Sequence, residues 1–164
     1  MRTSSTTRFP APLQRTRPVS QPPKNAHPAV ARSLDLWHRA VAANDLGELP
    51  AIIHPDAVFR SPMAFSPYQS AEALILALTN VNQVFQDFVY ERQLASDDGL
   101  DVVLEFRARV GDKKLKGIDF IRFNEQGQIM DFEVMIRPMS GLQALGNAMG
   151  QRVGGTLPSY KSKG

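Results

Sequence analysis

The first half of the chain has apolar positions at helical spacing. Residues 31–44 form an amphipathic pattern whose buried face is expected to hold Leu34, Trp37, His38 and Val41. A short second helix is expected to begin after Asp45 and to end at residue 53. Ser70 and Ser140 are the expected N-caps of two further helices. The pattern therefore predicts four helical segments, three of them before residue 86.

From residue 88 onward, apolar and polar positions alternate. The alternation predicts four strands, separated by short turns rich in Asp, Asn and Gly, at residues 88–94, 100–110, 114–123 and 128–137. A shorter strand is expected at residues 57–60, after a turn at His54-Pro55-Asp56. Short turns between alternating strands predict an antiparallel meander with one solvated face. Helices followed by such a curled sheet indicate an α+β fold with the helices packed on one side.

Asp119 interrupts the apolar face of the strand at residues 114–123. It is in phase with Leu115, Gly117, Ile121 and Phe123, whereas the opposite phase holds Lys114, Lys116 and Arg122. The next strand is expected to add Phe132, Val134 and Ile136 to the same apolar face. A carboxylate among apolar side chains is unfavourable unless it is paired or protonated, and such groups are enriched where chemistry takes place. The alternative is structural, with Asp119 bonded to a helix end or to a buried base such as His38.

Composition divides the chain into one domain and two tails. The 164 residues include no cysteine and no apolar run of 18, which excludes disulfides, thiolate metal sites and a transmembrane helix. Residues 1–30 hold six of the 12 prolines and few large apolar side chains. We expect a disordered tail there or, because the segment has arginine and serine but no acid, an organelle transit peptide. Residues 31–153 form the predicted domain, and residues 154–164 are expected to be a flexible C-terminal tail.

Charge and motifs narrow the functional classes further. The chain has a net charge of +3, but residues 34–151 alone have −6, so the basic excess belongs to the tails. We therefore expect neither nucleic-acid binding nor membrane binding by the domain. No histidine has a ligand partner at metal spacing, and no phosphate-binding loop or nucleophile elbow is present, so neither a metal nor another cofactor is expected. The expected location is cytoplasmic, or mitochondrial if the N-terminus is a transit peptide.

Three segments resemble the nuclear transport factor 2-like superfamily, within it the SnoaL-like and ketosteroid isomerase-like groups. They are "NDLGELPAIIHPDAVFRSP", "SAEALILAL" and "KGIDFIRFNEQGQIMDFEVMIRPMSGLQAL". The resemblance covers roughly residues 31–150. It implies a cystatin-like cone, in which a curved antiparallel sheet wraps around the N-terminal helices and encloses an apolar pocket, and it implies a homodimer.

The catalytic pattern of ketosteroid isomerases carries over only in part. Their proton-shuttling aspartate precedes the proline that ends the first strand, and Ser61 stands there in this chain, before Pro62. Their oxyanion-binding tyrosine on the first helix corresponds to Trp37. Their second oxyanion donor is a protonated aspartate, a known role for a carboxyl in an apolar site, and it corresponds to Asp119. Because the base is missing, steroid isomerisation is not expected.

Two functions from different classes remain open. One is an isomerase, cyclase or hydrolase that acts on a small apolar molecule with Asp119 as the catalytic acid or base. The other is a non-catalytic ligand-binding or assembly module of the same fold. The residues expected to line the pocket are Trp37, His38, Phe59, Ser61, Phe106, Ile121, Phe132, Val134 and Ile136. A homodimer is expected through the outer sheet face, where the apolar residues are Val103, Ile118, Phe120, Ile129 and Met135.

Overall fold

The computed structural model describes residues 21–160. Its elements are α1 (Pro28–Ala43), a 3-10 helix (Leu49–Ile52), β1 (Ile53–Arg60), α2 (Ala71–Val84), β2 (Gln86–Ala95), β3 (Asp101–Val110), β4 (Lys113–Phe123), β5 (Ile129–Arg137), α3 (Met139–Val153) and a second 3-10 helix (Leu157–Tyr160). The strands form one curved, open sheet in the order β1-β5-β4-β3-β2. The predicted α+β class is confirmed. Within residues 21–160, none of the helices is both long and apolar enough to cross a bilayer.

Strand β1 differs from its prediction in length and direction. β2 to β5 form the predicted antiparallel meander, but β1 pairs with β5 in parallel, so the sheet is mixed. The connection through α2 carries the chain from β1 at one edge of the sheet to β2 at the other edge. The meander then runs back across the sheet, so its last strand, β5, lies beside β1. The expected turn at His54-Pro55-Asp56 lies inside β1. The register with β5 shifts between Ile53 and Val58, and an edge strand tolerates the missing N–H of Pro55 there.

The helix boundaries follow the caps, with two corrections. Ser70 caps α2 as expected, since its Oγ accepts a hydrogen bond of 3.1 Å from the Ala73 N–H. The helix expected after Asp45 is only one 3-10 turn, which begins beside Pro50, a residue without an N–H to donate. Ser140 does not cap α3, because the helix begins one residue earlier, directly after Pro138.

Strand β4 has the two faces that the alternation predicts. Its buried residues are Leu115, Gly117, Asp119, Ile121 and Phe123, and they face the core of helices and sheet. Asp119 lies opposite Leu104 of β3 and Val134 of β5. Ile129, which was expected on the outer face, is fully buried. The ladder between β4 and β5 shifts register beside Ile129, and this shift turns its side chain inward.

Both predicted tails overlap the folded domain. Residues 21–30 contact the β2–β3 turn: the Asn25 side chain donates to Ala95 O and Ser96 O, and the His27 N–H donates to Gly99 O. At the other end, the Leu157–Tyr160 helix packs against α2. The domain therefore extends beyond residues 31–153, because these segments supply hydrogen bonds and apolar cover. The rest of each predicted tail, residues 1–20 and 161–164, lies outside the described residues.

Candidate functional site

A cavity of about 280 Å³ lies between the buried face of the sheet and the helices. All five strands contribute residues to its wall, together with α1, α2, α3 and the C-terminal 3-10 helix. Most lining side chains are apolar, among them Phe85, Phe88 and Leu145. The polar side chains that reach it are Ser61, Tyr68, Asn82, Tyr90 and Asp119. A mostly apolar pocket with a few polar groups is typical of a small-molecule site.

Asp119 is the only carboxylate among the described residues that line this cavity. The alternation of β4 directs it inward, where the residue is 7% exposed. Burial raises its pKa from 3.8 to about 7, and the hydrogen bond from Tyr90 opposes that rise. Near neutral pH the carboxyl is therefore divided between its neutral and ionised forms, which is the condition for donating and accepting a proton.

Tyr90 of β2 connects Asp119 to α1. The Trp37 Nε1–H donates to the Tyr90 hydroxyl oxygen at 2.8 Å, and the Tyr90 O–H donates to Asp119 Oδ2 at 3.1 Å. Tyr90 is also buried, and its own pKa is raised well above 10 by burial and by the neighbouring Asp119, so it remains neutral. The three side chains form one hydrogen-bonded chain from the first helix to the carboxyl.

The sequence did not reveal Tyr90 as a site residue. The available signal was its phase with Phe88 on a predicted strand, which placed it on the apolar face together with a hydroxyl. The sequence pattern does not show that the Tyr90 side chain on β2 extends across the neighbouring strand β3 to contact Asp119 on β4. The strand also has register shifts on both sides of Tyr90, between Gln86 and Val89 and between Tyr90 and Arg92. Such bulges change the direction of a side chain.

The predicted pocket residues divide into two groups. Those that line the cavity with Asp119 are Trp37, Phe59, Ser61, Phe106, Val134 and Ile136. Ile121 and Phe132 do not line it: they face each other across the β4–β5 ladder, are fully buried and belong to the core beneath the cavity. His38 does not line it either; its ring packs edge-on against the Tyr90 ring, with centroids 5.1 Å apart.

His38 is not the partner of Asp119. Its Nε2 lies 3.0 Å from Gln93 Oε1, and burial lowers its pKa. Asp119 is instead bonded to Tyr90, so the alternative of a pairing with His38 is wrong. The reason is the helical rotation between neighbouring residues of α1: the Trp37 side chain reaches Tyr90, whereas the His38 ring nitrogen reaches Gln93, three residues further along β2.

Gly117 makes space for the aromatic wall. A Cβ atom at this position would lie 2.5 Å from Phe106 Cζ and 2.7 Å from Met135 O. Phe106 is opposite Gly117 in the β3–β4 ladder, and its ring lies in the space that a side chain at Gly117 would occupy. The ring is thereby packed against Phe85 and Phe88 at centroid distances of 5.6 and 5.2 Å.

Ser61 lies where β1 ends, at the cavity wall. Its Oγ accepts a hydrogen bond of 3.1 Å from the Met63 N–H. No carboxylate of the described chain except Asp119 lines the cavity with it. Residues 21–160 also contain no group of three or more His, Cys, Asp and Glu side chains arranged to hold a metal ion. The polar side chains at the cavity wall offer hydrogen bonding and, at Asp119, proton transfer.

A curved sheet over helices, enclosing an apolar cavity with one buried carboxyl, defines the class of protein: the fold is that of the nuclear transport factor 2-like superfamily. Within that class, a family model described as a SnoaL-like domain matches residues 34–132. The chain belongs to this SnoaL-like family. No curated protein matches it.

Solved structures of similar chains have the same fold. A steroid delta-isomerase from Pseudomonas aeruginosa is 56% identical, with a TM-score of 0.77 over 81% of this chain and 97% of that one. An uncharacterised bacterial protein with a cystatin-like fold from Silicibacter pomeroyi DSS-3 is 33% identical, with a TM-score of 0.72 over 84% and 94%. A nuclear transport factor 2-like protein of unknown function from Mesorhizobium loti is 13% identical, with a TM-score of 0.62 over 73% and 100%.

Proposed function

We propose that this protein catalyses proton transfer on a small apolar compound that has a carbonyl group, with Asp119 as the acid and base. The observation that carries the proposal is a carboxyl in an apolar cavity with a pKa near 7 and Tyr90 as its hydrogen-bond partner. A general acid or base works best when its pKa is close to the working pH. The apolar wall provides binding, and the carboxyl provides the chemistry.

The ionised form of Asp119 begins the reaction. Its free oxygen takes a proton from the carbon next to the carbonyl, and the electron pair of that C–H bond moves to give an enolate. The hydrogen-bond donors at the cavity wall for the enolate oxygen are the Ser61 hydroxyl and the second N–H of the Asn82 amide, whose first N–H donates to Asn44 Oδ1. The neutral carboxyl then returns the proton to the same carbon or to another one, and return to another carbon is an isomerisation.

The resemblance assigned Asp119 a different role, as a neutral donor to the oxyanion. That role requires a second carboxylate to act as base, and Ser61 stands at the base's position. Among the described lining residues, Asp119 is therefore the group able to accept a proton from carbon near neutral pH. The 56% identity to a protein named as a steroid delta-isomerase supports an apolar, ring-containing ligand.

The test is exchange of hydrogen for deuterium at the carbon next to a carbonyl. The protein is mixed in deuterium oxide with 1-tetralone or with the ketosteroid progesterone, and proton NMR follows the loss of that signal. We expect the wild type to exceed the uncatalysed rate and Asp119→Asn to lose about 100-fold or more of the catalysed rate. The control variant Asp97→Asn, whose carboxyl is exposed outside the cavity, should match the wild type.

A non-catalytic ligand-binding module is the second candidate. The absence of a second carboxylate from the described cavity wall favours it. Trp37 is the one tryptophan of the chain and lines the cavity, so its fluorescence reports ligand binding. Quenching by 1-tetralone or progesterone without any exchange, and the same affinity in Asp119→Asn, would establish binding alone and reject the catalytic proposal.

A further inference from the structure

Tyr90 determines which oxygen of Asp119 is free. The indole N–H of Trp37 can only donate, so the Tyr90 oxygen accepts that bond and directs its own proton to Asp119 Oδ2. Asp119 has no other hydrogen-bond partner among the described side chains. Oδ1 has no hydrogen-bond partner among these residues. Every fully buried side-chain N or O atom of residues 21–160 has a partner, so Oδ1 is not fully buried and reaches the open volume of the cavity.

We propose that Tyr90 is a positioning residue: it holds Oδ2 of Asp119 so that the exchangeable proton of the carboxyl lies on Oδ1, facing the ligand. This inference rests on the proposed role of Asp119 as the acid and base. Oδ2 accepts a hydrogen bond from Tyr90 and is not the site of the proton. Proton transfer therefore takes place at one oxygen in one direction, which fixes where the reacting carbon must lie.

The surroundings hold Tyr90 in this position. Its ring packs edge-on against His38 and Phe88, at centroid distances of 5.1 and 4.8 Å, and it also contacts Phe106. Trp37 fixes the hydroxyl from the side of α1. The residue is 7% exposed, so water does not compete for its hydrogen bonds. A side chain that is fixed by packing and by two hydrogen bonds orients its partner at little further loss of entropy.

Tyr90 also affects the titration of Asp119, because its hydroxyl stabilises the ionised form. In the described structure, few other titratable groups reach Asp119. Leu104 and Val134 flank it on the neighbouring strands, and the lining side chains of α1, α2, α3 and β1 are not titratable. The two that lie nearby are Tyr68 at the cavity wall and His38 in edge contact with the Tyr90 ring.

The experiment compares Tyr90→Phe, which keeps the ring and removes the hydroxyl, with Tyr68→Phe, which removes a hydroxyl elsewhere in the same cavity. Carbon NMR of protein labelled at the aspartate carboxyl carbons gives the pKa of Asp119, and Asp119→Asn assigns its signal. We expect Tyr90→Phe to raise this pKa by about half a unit or more. Tyr68→Phe should leave it within about 0.2 units of the wild type.

The pH profile of 1-tetralone exchange is the second measurement. Because the ionised carboxyl is the base, the midpoint of the profile should move upward in Tyr90→Phe together with the pKa. A natively folded Tyr90→Phe protein with an unchanged or lower pKa of Asp119 would overturn the positioning role. Absence of exchange in the wild type at every pH would instead reject the proposed function, and the carboxyl titration would still test Tyr90.

A second variant covers the case in which Tyr90→Phe does not fold. The chain has three tyrosines, and 3-fluorotyrosine replaces all of them with a more acidic hydroxyl of nearly the same size. A more acidic hydroxyl donates a stronger hydrogen bond to the carboxylate, so the pKa of Asp119 should fall. A pKa that stays constant or rises in the fluorinated protein contradicts the proposal.

Discussion

At the scale of single residues, Asp119 makes stability depend on pH. The unfolded chain releases this proton near the ordinary pKa of 3.8, whereas the folded protein releases it near 7. Between these values the folded state binds more protons, so the free energy of unfolding falls as pH rises from about 4 to about 7 and is level above that. The difference of roughly three pKa units corresponds to a loss on the order of 4 kcal/mol.

Asp119→Asn removes that dependence while nearly keeping the shape. We expect the variant to be more stable than the wild type at pH 8 and equal to it near pH 4, as measured by urea unfolding. Asp97→Asn, with an exposed carboxyl, is the control and should change little at either pH. A variant that is less stable than the wild type at pH 8 would mean that the Tyr90–Asp119 bond is a net stabilising contact, contrary to the dominant effect of burial.

Ser61 provides a second prediction at this scale. We expect the wild type to have no measurable steroid isomerase activity, because the serine hydroxyl at the end of β1 cannot act as a base near neutral pH and Asp119, on β4, meets a different part of the ligand. Ser61→Asp places a carboxylate at the cavity wall and should raise the rate about 100-fold or more above background, since a general base contributes on that scale. Ser61→Asn is the matched control without a base. Activity of the wild type equal to that of Ser61→Asp would contradict the role assigned to the missing aspartate.

At the scale of elements, the contact between β3 and β4 controls the cavity wall. Gly117→Ala puts a methyl group within 2.5 Å of Phe106 Cζ and close to a backbone oxygen of β5 that cannot move freely. We expect a loss of about 1–3 kcal/mol in stability from this overpacking, and weaker quenching of Trp37 by progesterone. Gly150→Ala in α3 meets nothing within 4 Å and is the control, expected to be neutral or stabilising. Equal stability of the two variants would show that Phe106 is not held by this contact.

At the scale of the whole molecule, the segment before α1 is part of the domain. Deletion of residues 1–28 removes the Asn25 and His27 contacts with the β2–β3 turn and the cap of α1, at which the Ala29 N–H donates to His27 Nδ1. We expect the melting temperature to fall by about 3–8 °C, which corresponds to about 1–2 kcal/mol for a chain of this size. Deletion of residues 1–20 keeps these contacts and should leave the melting temperature unchanged. Equal effects of the two deletions would contradict the attachment.

The outer face of the sheet supports the prediction of a homodimer. Leu94, Phe120 and Met135 are 63%, 40% and 45% exposed there, and Val103 and Ile118 join them in the ladders. Ion pairs surround this apolar patch, among them Arg92–Glu105, Lys116–Glu105 and Arg122–Asp101. An apolar centre with a polar rim is typical of a two-fold interface.

Light scattering at micromolar concentration measures the assembly. We expect a mass of twice the 18.2 kDa of the chain, and a monomer for Phe120→Glu, which puts a charge in the centre of the patch. Phe65→Glu changes another exposed phenylalanine that lies between β1 and α2, outside the patch, and should remain dimeric. A wild-type mass near that of one chain would reject the dimer.

Local patterns in the sequence are enough to predict the elements and their faces. The alternation of β4 put Asp119 on the apolar face, and the spacing in α1 put Trp37 there, because both periods are local properties of the backbone. The same local rules gave the order of helices and strands, and hence the α+β class. The local pattern was wrong where a proline or a register shift intervened: at Pro55 for the start of β1, and at Ile129 for the face of β5.

Which side chains contact each other depends on the packing of the whole domain. Tyr90 and Asp119 are 29 residues apart on strands that are not neighbours, and their contact depends on the strand order, the bulges of β2 and the space left by Gly117. His38 and Trp37 are adjacent in sequence, yet only Trp37 joins the chain to Asp119. The pKa of the carboxyl depends on the burial and hydrogen bonding that this packing produces, and a local pattern of apolar and polar residues contains neither.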